Sequence, residues 1–199
     1  AMVGVKVTKH NDMIVNGMAA FHGDQMVTKL NREETANFLR ISQGVSGGDM
    51  TFPYKGKDKL ATFSADSANT KDKFSFRHGR VYIHVRVNME GHMKELAFPA
   101  NIEKPSVRKK LTKRIEQEMS RDSEKMIHKL QRYNSDILDF GARIRAYHPE
   151  IWKKINWDKA FPNAKVKVDY HVKIRRSGVE LKNYNQSNLM PGNRGKRPK

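Results

Sequence analysis

Cysteine is absent from all 199 residues. That removes disulfides, thiol nucleophiles, thiolate metal sites and any lipidated cysteine from the chain as given. Acidic residues are scarce: 21 Asp and Glu stand against 39 Lys and Arg, a formal net charge of +18. No apolar run approaches the ~18 residues that a membrane-spanning helix needs. The start, AMVGVKVTKHND, has the pattern of neither a signal peptide nor a transit peptide. Ala1-Met2 reads as a cloning remnant, so the chain is expected to be a piece of a longer protein, with 1–14 as lead-in.

Several motifs that carry chemistry are also missing. The Gly44 to Gly48 segment lacks the Gly-Lys-Ser/Thr ending of a phosphate loop, and there is no Gly-x-Ser-x-Gly elbow. No two of the eight His stand at the i,i+4 spacing of a helical zinc site. His84 and His171 could meet across a sheet if their strands pair, but no third ligand is in view. Neither a zinc finger nor helix-turn-helix spacing occurs. These absences argue against an enzyme, and no cofactor is expected.

What is present suffices for a core. At 37% hydrophobic, a chain of this length can form one good-sized domain that buries roughly 70% of its unfolded surface. Charge is uneven: residues 151–199 hold 13 basic and 3 acidic side chains, over half the excess. Such a surface attracts nucleic acid, anionic lipid or acidic protein, and serves equally as a solvated face.

Val15–Phe21 and Gln25–Leu30 read as strands around a His22-Gly23-Asp24 turn. Asn31 followed by Glu34 predicts a capped helix to about Ser42. Thr51–Lys55, Lys59–Ala65 and Lys73–Arg77 read as short strands divided by Gly, Asp, Asn and Ser. Arg80–Asn88 alternates, with Val81, Ile83, Val85 and Val87 on one face. Val107, Leu111, Ile115 and Met119, resuming at Met126, Leu130 and Tyr133, form one stripe of a long amphipathic helix, interrupted at Asp122 and Ser123. A second helix is predicted from Asn134-Ser135-Asp136 and a third, short one from Pro149. Lys165–Arg175 closes the fold as a strand. The class is α+β: an antiparallel or mixed sheet packed against the long helix and shorter helices, one domain over 15–181, then a basic flexible tail over 182–199. The strands 80–88 and 165–175 are expected in one sheet, with the long helix covering its apolar face.

Glu33 and Glu34 read as a helix start, not as paired catalytic carboxylates. Trp152 and Trp157 read as mini-core beside Pro149 and Phe161. Gly17, Gly23 and Gly141 read as backbone geometry or close packing. Lys165, Lys167, Lys173, Arg175 and Arg176 form an exposed basic row, a candidate contact for anionic lipid or an acidic partner.

Two blocks carry a resemblance. Residues 17–35, GMAAFHGDQMVTKLNREET, resemble the opening signature of the C-terminal domain of the Ger(x)C (GerAC-like) family, the lipoprotein C subunits of spore germinant receptors. Residues 136–162, DILDFGARIRAYHPEIWKKINWDKAFP, resemble its Asp-Ile-x-x-Phe-Gly helix followed by Pro-x-x-Trp and Trp-x-x-x-Phe. The matching positions include Gly17, Gly23, Glu34, Asp136, Gly141, Pro149, Trp152, Trp157 and Phe161, all read as structural. With a closing strand that ends at Ser177-Gly178, the likeness runs over roughly residues 15–178. The resemblance implies a non-catalytic subunit acting in nutrient-triggered spore germination. It also implies a lipid anchor and N-terminal domains in the intact protein, the outer face of the spore inner membrane as location, and integral membrane A and B subunits as partners. A basic nucleic-acid-binding module is the alternative that charge allows; the resemblance disfavours it.

Overall fold

The computed structural model describes residues 2–7, 13–44, 48–54, 56 and 58–175, with side chains from residue 17 onward. Arg176 and the tail 182–199 lie outside the described residues. The chain runs β1 (Met2–Val7), β2 (Met13–His22), β3 (Gln25–Leu30), α1 (Arg32–Gln43), β4 (Asp49–Pro53), β5 (Leu60–Arg77) and β6 (Arg80–Leu96). Then come α2 (Pro105–Arg132), α3 (Phe140–Tyr147), α4 (Pro149–Trp152), α5 (Trp157–Ala160), a 3-10 turn (Phe161–Asn163) and β7 (Lys165–Ile174). The architecture is α+β, with one sheet ordered β1-β2-β3 and another ordered β4-β5-β6-β7. Neighbours are antiparallel except β6 and β7, which pair in parallel. β1 falls inside the stretch read as lead-in; three valines at alternate positions are too short a pattern to stand alone.

Local chemistry sets the boundaries. Asn31 Oδ1 accepts from the Glu34 N–H at 2.8 Å while Glu34 Oε2 accepts from the Asn31 N–H at 2.8 Å, so both orphan donors at the start of α1 are satisfied. His78 and Gly79 both have positive φ, 50° and 71°, as the tight turn between β5 and β6 requires.

The short strands expected at 59–65 and 73–77 are one continuous 18-residue strand, β5. A bulge between Ala65 and Ser67 absorbs Asp66, one of the polar residues that looked like a break. Opposite it lies Gly91, where a Cβ would fall 2.1 Å from the Ser64 carbonyl oxygen. The strand kinks against a residue with no side chain.

α2 is unbroken, because Ser123 belongs to its buried stripe and bonds to the Tyr170 hydroxyl at 3.0 Å. Tyr133 leaves that stripe: the helix ends at Arg132, and Tyr133 is 46% exposed. The second helix starts at Phe140, later than expected, since Asp136 caps it from four residues upstream.

The strands 80–88 and 165–175 do share a sheet, as β6 and β7. Leu111, Ile115, Met126 and Leu130 of α2 pack in the core with Val81, Ile83, Val85, Val87, Val168 and Tyr170. α2 also covers the edge of β7. Val172 N–H donates to Glu116 Oε1 at 2.9 Å, Tyr170 N–H to Ser120 Oγ at 3.3 Å and Val168 N–H to Glu124 Oε1 at 3.0 Å. Four residues of helix advance about 6 Å, close to the roughly 6.6 Å between alternate strand residues. Every fourth helix residue therefore meets the next outward N–H, and an edge that would otherwise invite another strand is closed.

Candidate functional site

Two places gather the residues singled out in the sequence. The first is a corner built around Asp136. Its Oδ1 accepts from the Phe140 N–H at 3.1 Å, and its Oδ2 from the Gly141 N–H at 2.7 Å and from Trp157 Nε1–H at 3.1 Å. Burial pushes this carboxyl up to about 6, while the three donors pull it the other way. Trp157 packs against Trp152 and Phe161, with ring centroids 6.4 and 5.5 Å apart. Gly141 lies beneath the indole, where a Cβ would sit 2.4 Å from Nε1. Pro149 opens α4 beside them, and Phe161 is fully buried. Both tryptophans are partly buried and pack against the hydrophobic core.

The amino-terminal block serves similar ends. Gly17 has φ 145°, and a Cβ there would meet the Leu30 carbonyl oxygen at 2.2 Å, so the close approach of β2 and β3 requires glycine. Gly23 lies in the turn between those strands. Glu34, besides capping α1, accepts from Lys129 Nζ at 2.8 Å, which ties α1 to α2.

The second place is the solvent face of the four-stranded sheet. Register aligns Lys73, His84 and Lys167; Lys71, Arg86 and Asp169; and Asn69, Asn88 and His171. Lys165, Lys167, Lys173 and Arg175 are exposed on this face, so the predicted row exists. Three of these four are already engaged. Lys167 reaches Asp169 at 3.0 Å, and Lys173 and Arg175 reach Glu90 at 3.3 and 2.7 Å. Arg175 and Lys173 hold the Glu90 carboxyl below the usual carboxylate range. For Asp169, partial burial works upward, but Lys167 and His84 outweigh it and bring the carboxyl down. Lys165 has no such partner among the described residues. His84 bonds to Asp169 at 2.6 Å instead of meeting His171, which stands opposite Asn88.

Strand alternation turns Arg80 and Arg86 outward, but the sequence reading did not join them, or Lys71, Lys73 and Arg77 of β5, to the row on β7. The signal was present in the outward alternation of both strands, but only the register shows that they share a surface with β7. It also missed the buried polar groups. Asp72 pairs with Arg143 at 2.7 Å with its side chain 7% exposed, and burial raises its carboxyl against the pull of that arginine. Arg40 is 3% exposed within α1 and donates to Asn37 Oδ1 at 3.1 Å. Among the described residues no three His, Asp or Glu side chains gather as metal ligands. None of the described helices is long and apolar enough to cross a membrane.

The family model described as Spore germination B3/GerAC like, C-terminal matches residues 16–178. Among curated proteins, spore germination protein KC of Bacillus subtilis (strain 168) is 30% identical over 128 residues, which is 62% of this chain and 31% of that protein. Spore germination protein GerQC of Bacillus cereus is 23% identical over 172 residues, 86% of this chain and 48% of that protein. The chain spans about a third to a half of the length of these relatives. Among solved structures, the crystal structure of the GerBC protein matches with a TM-score of 0.75 and 26% identity, over 87% of this chain and 55% of that one.

Proposed function

The chain belongs to the GerAC-like C-terminal family of spore germination proteins, and from that premise we propose that it is the C-terminal domain of a germinant-receptor C subunit that acts by binding other receptor components, without catalysis. In this reading the partners are the integral membrane A and B subunits. The intact protein is held by a lipid anchor at the outer face of the spore inner membrane. One observation carries the non-catalytic part: the motif residues Gly17, Glu34, Asp136, Gly141 and Trp157 are all engaged in caps and close packing. A scaffold of this kind presents a surface of fixed shape, which suits docking.

The test is genetic and biochemical. Deleting the gene should abolish the response of spores to the matching nutrient, and the restored, tagged protein should co-purify with the membrane subunits. Normal nutrient germination in the deletion strain would overturn the proposal. The cheapest check is the coding sequence upstream, where a signal peptide ending at a Cys is expected.

A further inference from the structure

The cations of the open sheet face fall into two sets, those paired with carboxylates and those that are not. Farthest from the β5–β6 turn, Glu90 is flanked by Lys173 and Arg175, while midway along the face Asp169 pairs with Lys167 and His84 and stands level with Lys71 and Arg86. Toward that turn, Lys71, Lys73, Arg77, Arg80, Arg86 and Lys165 are all exposed, and none forms an ion pair with a described residue. The register sets Arg77 directly opposite Arg80, and Lys71 directly opposite Arg86, which has Asp169 as its neighbour on the other side. Like charges directly opposite one another destabilise a sheet. These side chains add nothing to the core, so the fold gains nothing in return. The rule is broken without compensation at Arg77 and Arg80, where no carboxylate stands in register, and a local rule broken without structural benefit marks that surface as functional.

We propose that this turn-proximal half of the sheet face docks on an anionic phospholipid surface. Its form favours lipid over other polyanions. It is an open sheet, and the shallow recess on this side of the molecule lies in the other half, bordered by Asn69, Asn88, Glu90 and His171. A protein partner would gain affinity from a pocket that anchors a large side chain. Single-stranded nucleic acid would stack on successive aromatics, whereas Tyr82 is the one aromatic that the described strands turn to this face. A lone tyrosine, 38% exposed among cations, suits the headgroup layer of a bilayer. Lys and Arg stems let the charged ends reach phosphates at differing depths, and each cation near the surface adds about fivefold to partition.

The test is co-sedimentation of the 199-residue chain with phosphatidylcholine vesicles and with phosphatidylglycerol-rich vesicles, at low and high salt. Binding should be confined to the anionic vesicles and weaken with salt. Changing all six cations to Gln should lower partition at least thirtyfold, the effect of about two cations in contact. The triple variant K167Q/K173Q/R175Q should lose less than fivefold, because its cations are already neutralised by Asp169 and Glu90. Should the six-site variant fail to fold by circular dichroism, the pairs R77Q/R80Q and K71Q/R86Q must each lower partition severalfold. Equal binding to both lipids, no binding to either, or a larger loss in the triple variant would overturn the proposal. DNA that displaces the chain from vesicles through the same six side chains would also overturn it, in favour of nucleic acid. Vesicle partition reports on lipid contact alone and the deletion strain on the receptor role, so failure of one is distinguishable from failure of the other.

Discussion

Around Asp136 one carboxylate meets three N–H donors inside a packed corner. On the turn-proximal half of the sheet face, six exposed cations stand with no described carboxylate paired to them. In the corner each polar atom has a defined partner, and the residue at each position is dictated by its neighbours. On the face, neighbours repel and nothing internal requires the residues that are there. The difference separates what holds the domain together from what it can offer to something else. The family blocks fall in the first class and the basic face in the second. Resemblance therefore identified the scaffold and said little about the contact surface.

The sharpest way to break the comparison is at Gly141. A Cβ would come within 2.7 Å of three indole atoms of Trp157, and that ring is pinned by its bond to Asp136 and by Phe161 and Trp152. Gly141→Val should cost about 3 kcal/mol or more through overpacking, read as a fall in the urea midpoint. An unchanged midpoint would show that the corner can yield, and that its tightness is not what holds it.

Asp136 offers the next largest effect, through pH. Its folded pKa of about 6 lies above the ordinary carboxylate value because burial disfavours the charge. Between roughly pH 4 and pH 6 the folded state then binds more protons than the unfolded one, so this group's contribution to stability falls as pH rises through that window. The change amounts to roughly 2–3 kcal/mol. Asp136→Asn keeps the shape without the charge. The stability difference between wild type and variant should therefore move with pH across that window and level off above it. A difference that stays flat would place the carboxyl at its ordinary pKa.

These features differ in how readable they were. The capping box, the His78-Gly79 turn and the alternation of β6 depend on residues within a few positions of each other, so the sequence alone displays them. The continuity of β5 was hidden, because Asp66 and Ser67 look like a break until Gly91 on the neighbouring strand makes room for a bulge. Glu116, Ser120 and Glu124 look like solvated helix residues until β7 brings its free N–H groups beside them. The basic face was half legible. Strand alternation exposed its members, but only register shows which cations face carboxylates and which face each other.

The α2–β7 seam lies between the two extremes, being polar yet paired at Val168, Tyr170 and Val172. Glu124→Ala should cost about 1–2 kcal/mol, since it leaves the Val168 N–H without its charged acceptor. Hydrogen exchange at Val168 should speed up while amides of β6 remain protected. Uniform acceleration over the whole sheet would mean that the seam secures the fold and does more than close an edge.

The smallest effect sharpens the comparison most, because it predicts a gain. Arg77 and Arg80 face each other across the turn, and replacing one with an acid converts a repelling cross-strand pair into an attracting one. Such pairs are worth about 0.2–1 kcal/mol, so Arg80→Glu should raise the urea midpoint slightly. The same substitution should weaken partition onto phosphatidylglycerol-rich vesicles, since it removes one cation and adds an anion to the docking face. A residue kept for the fold would show the opposite stability change, and a merely solvated one would leave lipid binding unaltered. Only a residue that serves a partner at the expense of its own sheet yields both outcomes together.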